Sequence, residues 1–211
     1  MTTSLRPLRI HRHPLSGHCH RVELFASILE LPVELVDVDL AAGAHKAPAF
    51  LEKSPFGQVP VLEDGDVVIA DSTAILVYLA KRYDAGGTWL PADPASAAAV
   101  TQWLSAASGP LAHGPAAARI HAIFGRPIDR AQVDATAAHL FGVLDARLAS
   151  RRFLVGAGPT IADIAMYAYT ARAPEGGISL APYEAVCAWL SRIEALPRFV
   201  PMAATRTAIH A

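Results

Sequence analysis

Between Pro7 and His13 apolar and polar residues alternate, the period of a half-buried strand, and Pro14 ends the run. From Cys19 to Leu31 the spacing changes: Val22, Leu24, Phe25, Ile28, Leu29 and Leu31 recur as on one side of an amphipathic helix. Val33 to Leu40 alternates again and predicts a second strand, joined to the first through that helix as a βαβ unit with parallel strands. A short helical turn is expected over Ala49 to Lys53. Val61 to Glu63 and Val67 to Ala70 flank Asp64-Gly65, a strong hairpin signal. Asp71-Ser72 then precedes Ile75, Leu76, Tyr78 and Leu79, so a helix starts there.

Asp84 to Pro94 contains Gly86, Gly87, Pro91 and Pro94 and reads as a linker. Everything beyond it is helical in period: Ala95 to Phe124 with a break near Gly109-Pro110, Asp129 to Ala149, Ile161 to Ala171, and Tyr183 to Leu196. No repeat of fixed period is present. The pattern predicts an α/β domain over residues 5–83, a linker over 84–94 and an all-α domain over 95–206.

Composition narrows the function classes. The chain has 211 residues, 53% of them hydrophobic, enough to bury roughly 70% of its unfolded surface. No run of about 18 apolar residues could span a bilayer, so no membrane association is expected. A net charge of -1 and a pI near 6.7 leave no basic excess for a phosphate backbone, so nucleic acid is not an expected partner. Cys19 and Cys187 form no disulfide framework, and Met1 to Pro7 lacks the apolar core of a secretory signal. The expected location is the cytoplasm.

The stretch His11-Arg-His-Pro-Leu-Ser-Gly-His-Cys-His20 holds several chemistries at once. His11 and His13 share a strand face, but His18 and His20 would diverge by about 200° on a helix, and no zinc-finger spacing is present. No metal is expected. Ser16-Gly-His-Cys19 has the length of a redox Cys-x-x-Cys with its first cysteine replaced; Cys19 then reads either as a thiolate stabilised at a helix start or as a small residue packed inward. A serine hydrolase would carry Gly-x-Ser-x-Gly, which is absent. By itself Ser16 reads as a helix N-cap.

Taken together, these motifs resemble those of the cytosolic glutathione S-transferases, of a bacterial type similar to the serine-activated phi class. The resemblance rests on His13-Pro-Leu-Ser16 followed by Val22, on His45-Lys46 with Phe50-Leu51, on Pro55-Phe-Gly-Gln-Val-Pro60, on Asp71-Ser72, and on Thr160-Ile-Ala-Asp163. It covers nearly the whole chain and is most specific over residues 5–83. It implies a thioredoxin-like amino-terminal domain (βαβ-ββα) followed by an all-helical carboxy-terminal domain.

The resemblance also implies roles. Ser16 would donate a hydrogen bond to the thiolate of bound glutathione, which then attacks a small hydrophobic electrophile. Shifting a thiol from about 8.5 by two units takes about 2.7 kcal/mol, within reach of one hydrogen bond to a charged group at about 1.5–3 kcal/mol plus a helix end at about 0.3–1 kcal/mol. His45 and Lys46, with Gln58 nearby, would hold the glycyl carboxylate. Val59, before a cis Pro60, would pair with the cysteinyl backbone. Ser72 and the first-turn amides of its helix would bind the γ-glutamyl carboxylate, and Asp71 would face the ammonium. Leu15, His18 and His113 are expected around the second substrate, with Arg119 and His121 on a solvated helix face. Phe56 would insert into a partner subunit of a homodimer, and Thr160 and Asp163 would cap a buried helix reciprocally. Glutathione is a co-substrate, and no other cofactor is implied. Two alternatives stay open: a glutathione-dependent peroxidase or disulfide reductase using Cys19, and a non-catalytic binding or regulatory protein of the same fold.

Overall fold

The computed structural model describes residues 7–205. The first six residues, on which the location expectation rests in part, lie outside that range, as do residue 206 and the positions after it.

Four strands form one mixed sheet in the order β2-β1-β3-β4. β1 (Leu8–Arg12) and β2 (Val33–Asp37) are parallel, with Ile10 opposite Leu35. β3 (Val61–Asp64) runs antiparallel to both β1 and β4 (Val67–Ala70), with Ile10 opposite Leu62 and Leu62 opposite Ile69. The parallel pair is connected through α1 (Gly17–Ile28), as a βαβ unit requires, and the antiparallel pair turns at Gly65, whose φ of +61° suits a tight hairpin. β2 is three residues shorter than its alternation suggested: after Asp37 only Val38 turns inward, and the chain leaves the sheet for a 3₁₀ turn at Ala44–Lys46 and the short α2 (Pro48–Leu51). α3 (Ser72–Tyr83) completes the first half.

The second half is helical: α4 (Pro94–Ser108), a π-helical turn at Ala112–Ala116, α5 (Ala117–Phe124), α6 (Arg130–Leu148), α7 (Ile161–Ala171), a 3₁₀ turn at Ala173–Gly176, and α8 (Glu184–Glu194). The break expected near Gly109-Pro110 is present as this change of helical pitch. α7 is the central element. All residues from Ile161 to Thr170 are buried, and it packs against α1, α3, α4 and α8. One continuous apolar cluster therefore runs from Ile10 and Leu62 in the sheet through Phe25 and Leu79 to Met166 and Trp189. The sheet and the bundle are two architectures sharing one core, and their seam passes beside the start of α1.

No helix among the described residues is long and apolar enough to cross a membrane.

Candidate functional site

Ser16 is the N-cap of α1, with extended backbone (φ -85°, ψ 119°), and its Oγ accepts from the Cys19 amide at 3.3 Å. A turn in which the Ser16 amide donates to the His13 carbonyl presents it at the carboxyl end of β1. A hydroxyl has one proton and two acceptor sites. No nitrogen or oxygen acceptor among the described residues takes the Ser16 proton. On either side the helical half grips the loop: Arg119 Nη1 donates to the Leu15 carbonyl at 2.6 Å, and the Gly17 amide donates to Tyr169 Oη at 3.2 Å. Gly17 is obligatory, because a Cβ there would stand 2.8 Å from the Tyr169 ring.

Cys19 lies directly behind this turn and is fully buried. Burial pushes its thiol up to about 12, outweighing the hydrogen bonds offered by Ser16 and by the His13 amide. A thiolate is the species that attacks a disulfide or peroxide, so the reading that gave Cys19 a peroxidase or reductase role is corrected: this sulfur stays protonated near neutrality and packs inward.

The four histidines of the opening stretch separate. His11 Nε2 meets Glu63 at 2.7 Å, His20 Nε2 meets the Val200 carbonyl at 2.8 Å, and His13 lies edge-on to Phe124. No group of three His, Cys, Asp or Glu suited to a metal ion occurs among the described residues. His18 was grouped with the second substrate, yet it stands against Ser72: its Nδ1 is 2.9 Å from Arg21 Nη1 and 3.4 Å from Ser72 Oγ. A guanidinium only donates, so Nδ1 is the bare nitrogen and the proton sits on Nε2. Burial, then the Arg21 charge, lowers the imidazole to about 3, so His18 is a neutral N–H donor at any ordinary pH.

Arg21 is the hidden support. It is fully buried, donates to His18, to Ser72 Oγ at 3.1 Å and to the Ala107 carbonyl at 3.4 Å, and lies over the Tyr169 ring. No carboxylate among the described residues pairs with it. Sequence reasoning missed it, although the signal existed: Arg21 falls with Val22 and Phe25 on the inward stripe of α1, where a charge needs a reason.

At the start of α3 the expected anion site is smaller than predicted. Asp71, exposed and in the left-handed region at φ 79°, turns its Oδ1 onto the Thr73 and Ala74 amides, both at 2.9 Å. A non-glycine residue there is uncommon and strained. Two of the first-turn amides are thus already used, leaving the Ser72 amide; Ser72 is a buried residue whose hydroxyl is backed by Arg21 and stands beside His18 Nδ1.

On the opposite wall, Lys46 Nζ donates to the Phe56 and Gly57 carbonyls at 3.2 and 3.3 Å, tying the 3₁₀ turn to the loop before β3. Gly57, at φ +58°, permits this, since a Cβ would lie 2.7 Å from the His45 carbonyl. His45 is half-buried with Nδ1 enclosed and without a partner among the described residues. Gln58 is exposed, its amide held by Ser54 Oγ at 3.0 Å. The Val59–Pro60 bond is cis, and pairing of β3 begins only at Val61. Phe56 is 82% exposed.

These walls enclose one cavity of about 570 Å³ lined by Ser16, His18, His45, Lys46, Gln58, Val59, Pro60, Asp71 and Ser72. Its other side is apolar: Leu15, Leu40, Ile120 and Phe124, with Tyr169 and Arg126. His113 is not part of it. Gly114 packs so closely on α6 that a Cβ would meet the Ala137 amide at 3.0 Å, so the π-helical turn buries Gly114 to Ala116 and turns His113 outward. From α5 the cavity is lined by Ile120, within the stretch from His113 to His121 expected to face it, and by Phe124 one turn beyond. Arg119 is neither solvated nor in the pocket: it is 1% exposed. His121 is exposed, bonded to the Arg126 carbonyl.

Far from the cavity, Thr160 and Asp163 form a reciprocal cap on α7. Asp163 also accepts from the Leu154 amide at 3.0 Å and Trp189 Nε1 at 2.9 Å.

Two family models match: the glutathione S-transferase N-terminal domain over residues 7–81 and the C-terminal domain over residues 115–197. Glutathione S-transferase 3 of Zea mays is 38% identical over 209 residues, 92% of each chain. Among solved structures, a glutathione S-transferase from Pseudomonas fluorescens superimposes with a TM-score of 0.87 at 33% identity, covering 94% of this chain and 100% of that one. A glutathione transferase homologue from Drosophila mojavensis with bound glutathione gives 0.80 at 26% identity, covering 90% and 89%.

Proposed function

Since the chain belongs to the glutathione S-transferase family and is a glutathione transferase, we propose that its Ser16 activates glutathione by donating a hydrogen bond to the thiolate, as in the phi class. The observation that carries this reading is the Ser16 hydroxyl at the cavity edge, on a helix N-terminus, with only the weakly accepting Cys19 sulfur and no nitrogen or oxygen acceptor among the described residues for its proton.

The remaining walls match the parts of glutathione. Ser72, with its backbone amide unclaimed and its hydroxyl backed by Arg21 and beside the bare Nδ1 of His18, supplies donors for the γ-glutamyl carboxylate. Asp71 has Oδ2 free for the ammonium while Oδ1 caps α3. The Val59 amide and carbonyl extend beyond the β3 ladder, open to the cysteinyl backbone. His45, Lys46 and Gln58 stand at the glycyl end, with Lys46 contributing charge while it braces the Phe56 loop. The thiolate would then point toward Leu15, Ile120 and Phe124, an apolar surface suited to a small hydrophobic electrophile. Binding both reactants side by side supplies proximity in addition to ionisation. The domains taking these roles are residues 5–83 and 95–206, joined by 84–94, and the setting is the cytoplasm.

Ser16→Ala tests the mechanism. Conjugation of 1-chloro-2,4-dinitrobenzene is expected to fall about 10- to 100-fold at pH 6.5, and the apparent pKa of bound glutathione to rise by about one to two units, the worth of one hydrogen bond to a charged group. An unchanged thiolate titration sinks it. Glutathione binding without conjugation of any electrophile by the wild type would instead favour the non-catalytic reading. We also propose a homodimer in which Phe56 is covered by the partner, because an aromatic this exposed favours burial; a monomer in sedimentation at micromolar concentration contradicts it.

A further inference from the structure

Arg119 has no place among the substrate contacts, yet it is one of the largest fully buried side chains in the molecule. It projects from α5. Its Nη1 reaches across the seam between the two halves to the Leu15 carbonyl at 2.6 Å, one residue before Ser16. Its Nε is held by Glu175 Oε2 at 2.8 Å, and Glu175 is in turn fixed by the Thr205 hydroxyl at 2.5 Å and the Thr205 amide at 3.3 Å. Gly176 makes the arrangement possible, since a Cβ there would come within 2.6 Å of the Arg119 amide.

The energetics argue against a purely structural role. A buried ion pair is weak evidence for stability, because apolar residues of similar volume serve a core equally well. Here the pair is also incomplete: Arg119 Nη2 is enclosed without a partner among the described residues. What the guanidinium does achieve is geometric. With Tyr169 holding the Gly17 amide, it fixes the peptide groups on both sides of Ser16. A hydrogen bond to a thiolate weakens steeply with misalignment, so the donor must be held to within a fraction of an ångström.

We infer that Arg119 is a positioning residue for Ser16, and that the line Thr205, Glu175, Arg119, Leu15 couples the carboxy-terminal segment to the activating loop. This rests on the serine reading above. Neither Arg119 nor Glu175 lines the cavity proposed for glutathione, so loss of the clamp changes the state of the sulfur while the tripeptide still binds.

The test compares Arg119→Lys, Arg119→Gln and Ser16→Ala with the wild type, reading folded fraction, KM for glutathione, kcat, and the pH titration of bound glutathione by thiolate absorbance. For each Arg119 variant the expected result, counted per folded molecule, is a fall in kcat of about tenfold and a rise in the thiolate pKa of about one unit, the scale of one misdirected hydrogen bond to a charged group, with KM for glutathione within about twofold. Combining Arg119→Gln with Ser16→Ala adds nothing further, because both act through one hydroxyl. Folded Arg119 variants with unchanged kcat and titration overturn the inference while a shift in Ser16→Ala keeps the serine reading. If Ser16→Ala itself shifts nothing, the serine reading fails and takes this inference with it. Should neither Arg119 variant fold, Thr205→Val decides: about a threefold loss of kcat in the same direction supports the coupling, and an unaltered pH profile overturns it.

Discussion

At the start of α1 and at the start of α7 a hydroxyl accepts a first-turn amide at the same distance, 3.3 Å: Ser16 from Cys19, Thr160 from Ala162. The two ends differ in the residue three positions on. In α7 it is Asp163, fully buried, which accepts the Thr160 amide at 2.9 Å and the Thr160 hydroxyl at 3.2 Å. In α1 it is Cys19, a weak acceptor pointing inward. A carboxylate at that position consumes the hydroxyl proton and closes the cap; a thiol holds the proton only weakly and yields it to a stronger acceptor that enters the cavity. One capping signal thus yields a folding element at one site and a donor to substrate at the other, and the difference is a single side chain.

The largest effect that sharpens this contrast is at α7. Asp163→Ala would strand the Leu154 and Thr160 amides and Trp189 Nε1 in the core. Each buried unsatisfied group costs about 1–3 kcal/mol, so a loss of about 3–5 kcal/mol in urea denaturation is expected, with the thiolate titration of the surviving folded protein unchanged. Ser16→Ala should do the reverse: at most about 1–2 kcal/mol of stability, the range for a lost cap, and most of the activity. If Asp163→Ala shifted the thiolate, the two ends would not be independent and the comparison would break.

The motifs that carry this contrast were legible to different degrees. Period-two and helical spacing located all four strands and the principal helices to within a few residues, because those elements bury one face and the face is written in the sequence. Local signals marked Ser16 and Asp71-Ser72 as helix caps, since caps depend on neighbours in the chain, whereas the cis Val59–Pro60 bond and the Thr160–Asp163 cap were read through the family resemblance. What stayed hidden came from across the seam. Tyr169 is an unmarked member of a uniformly buried helix, and Arg119 reads as surface until Gly176 and Glu175 close over it. His113 was misplaced because the π-helical turn rotates the face by an amount no regular period foretells. The capture of first-turn amides by Asp71 depends on one backbone angle, φ 79°, which the sequence does not announce.

The smallest effect separates the two ends by the sign of their response to acid. Next to Ser16, burial holds His18 at about 3, and on the next turn of contacts it holds His20 at about 4. In the unfolded chain both titrate near 6.5. Below about pH 6.5 the unfolded state therefore binds protons that the folded state refuses, and stability falls as pH drops toward 4, by up to about 1.4 kcal/mol per pH unit for each histidine. Asp163 works the other way: burial raises its carboxyl, so over the carboxylate range the folded state takes up its proton first and acid favours folding at that end. Denaturation midpoints measured from pH 7 to pH 4.5 should decline in the wild type, and the slope should flatten by about one proton in His18→Gln. An undiminished slope in that variant would mean that His18 is protonated in the folded protein, and the neutral ring with its bare Nδ1 beside Arg21 and Ser72 would have to be given up.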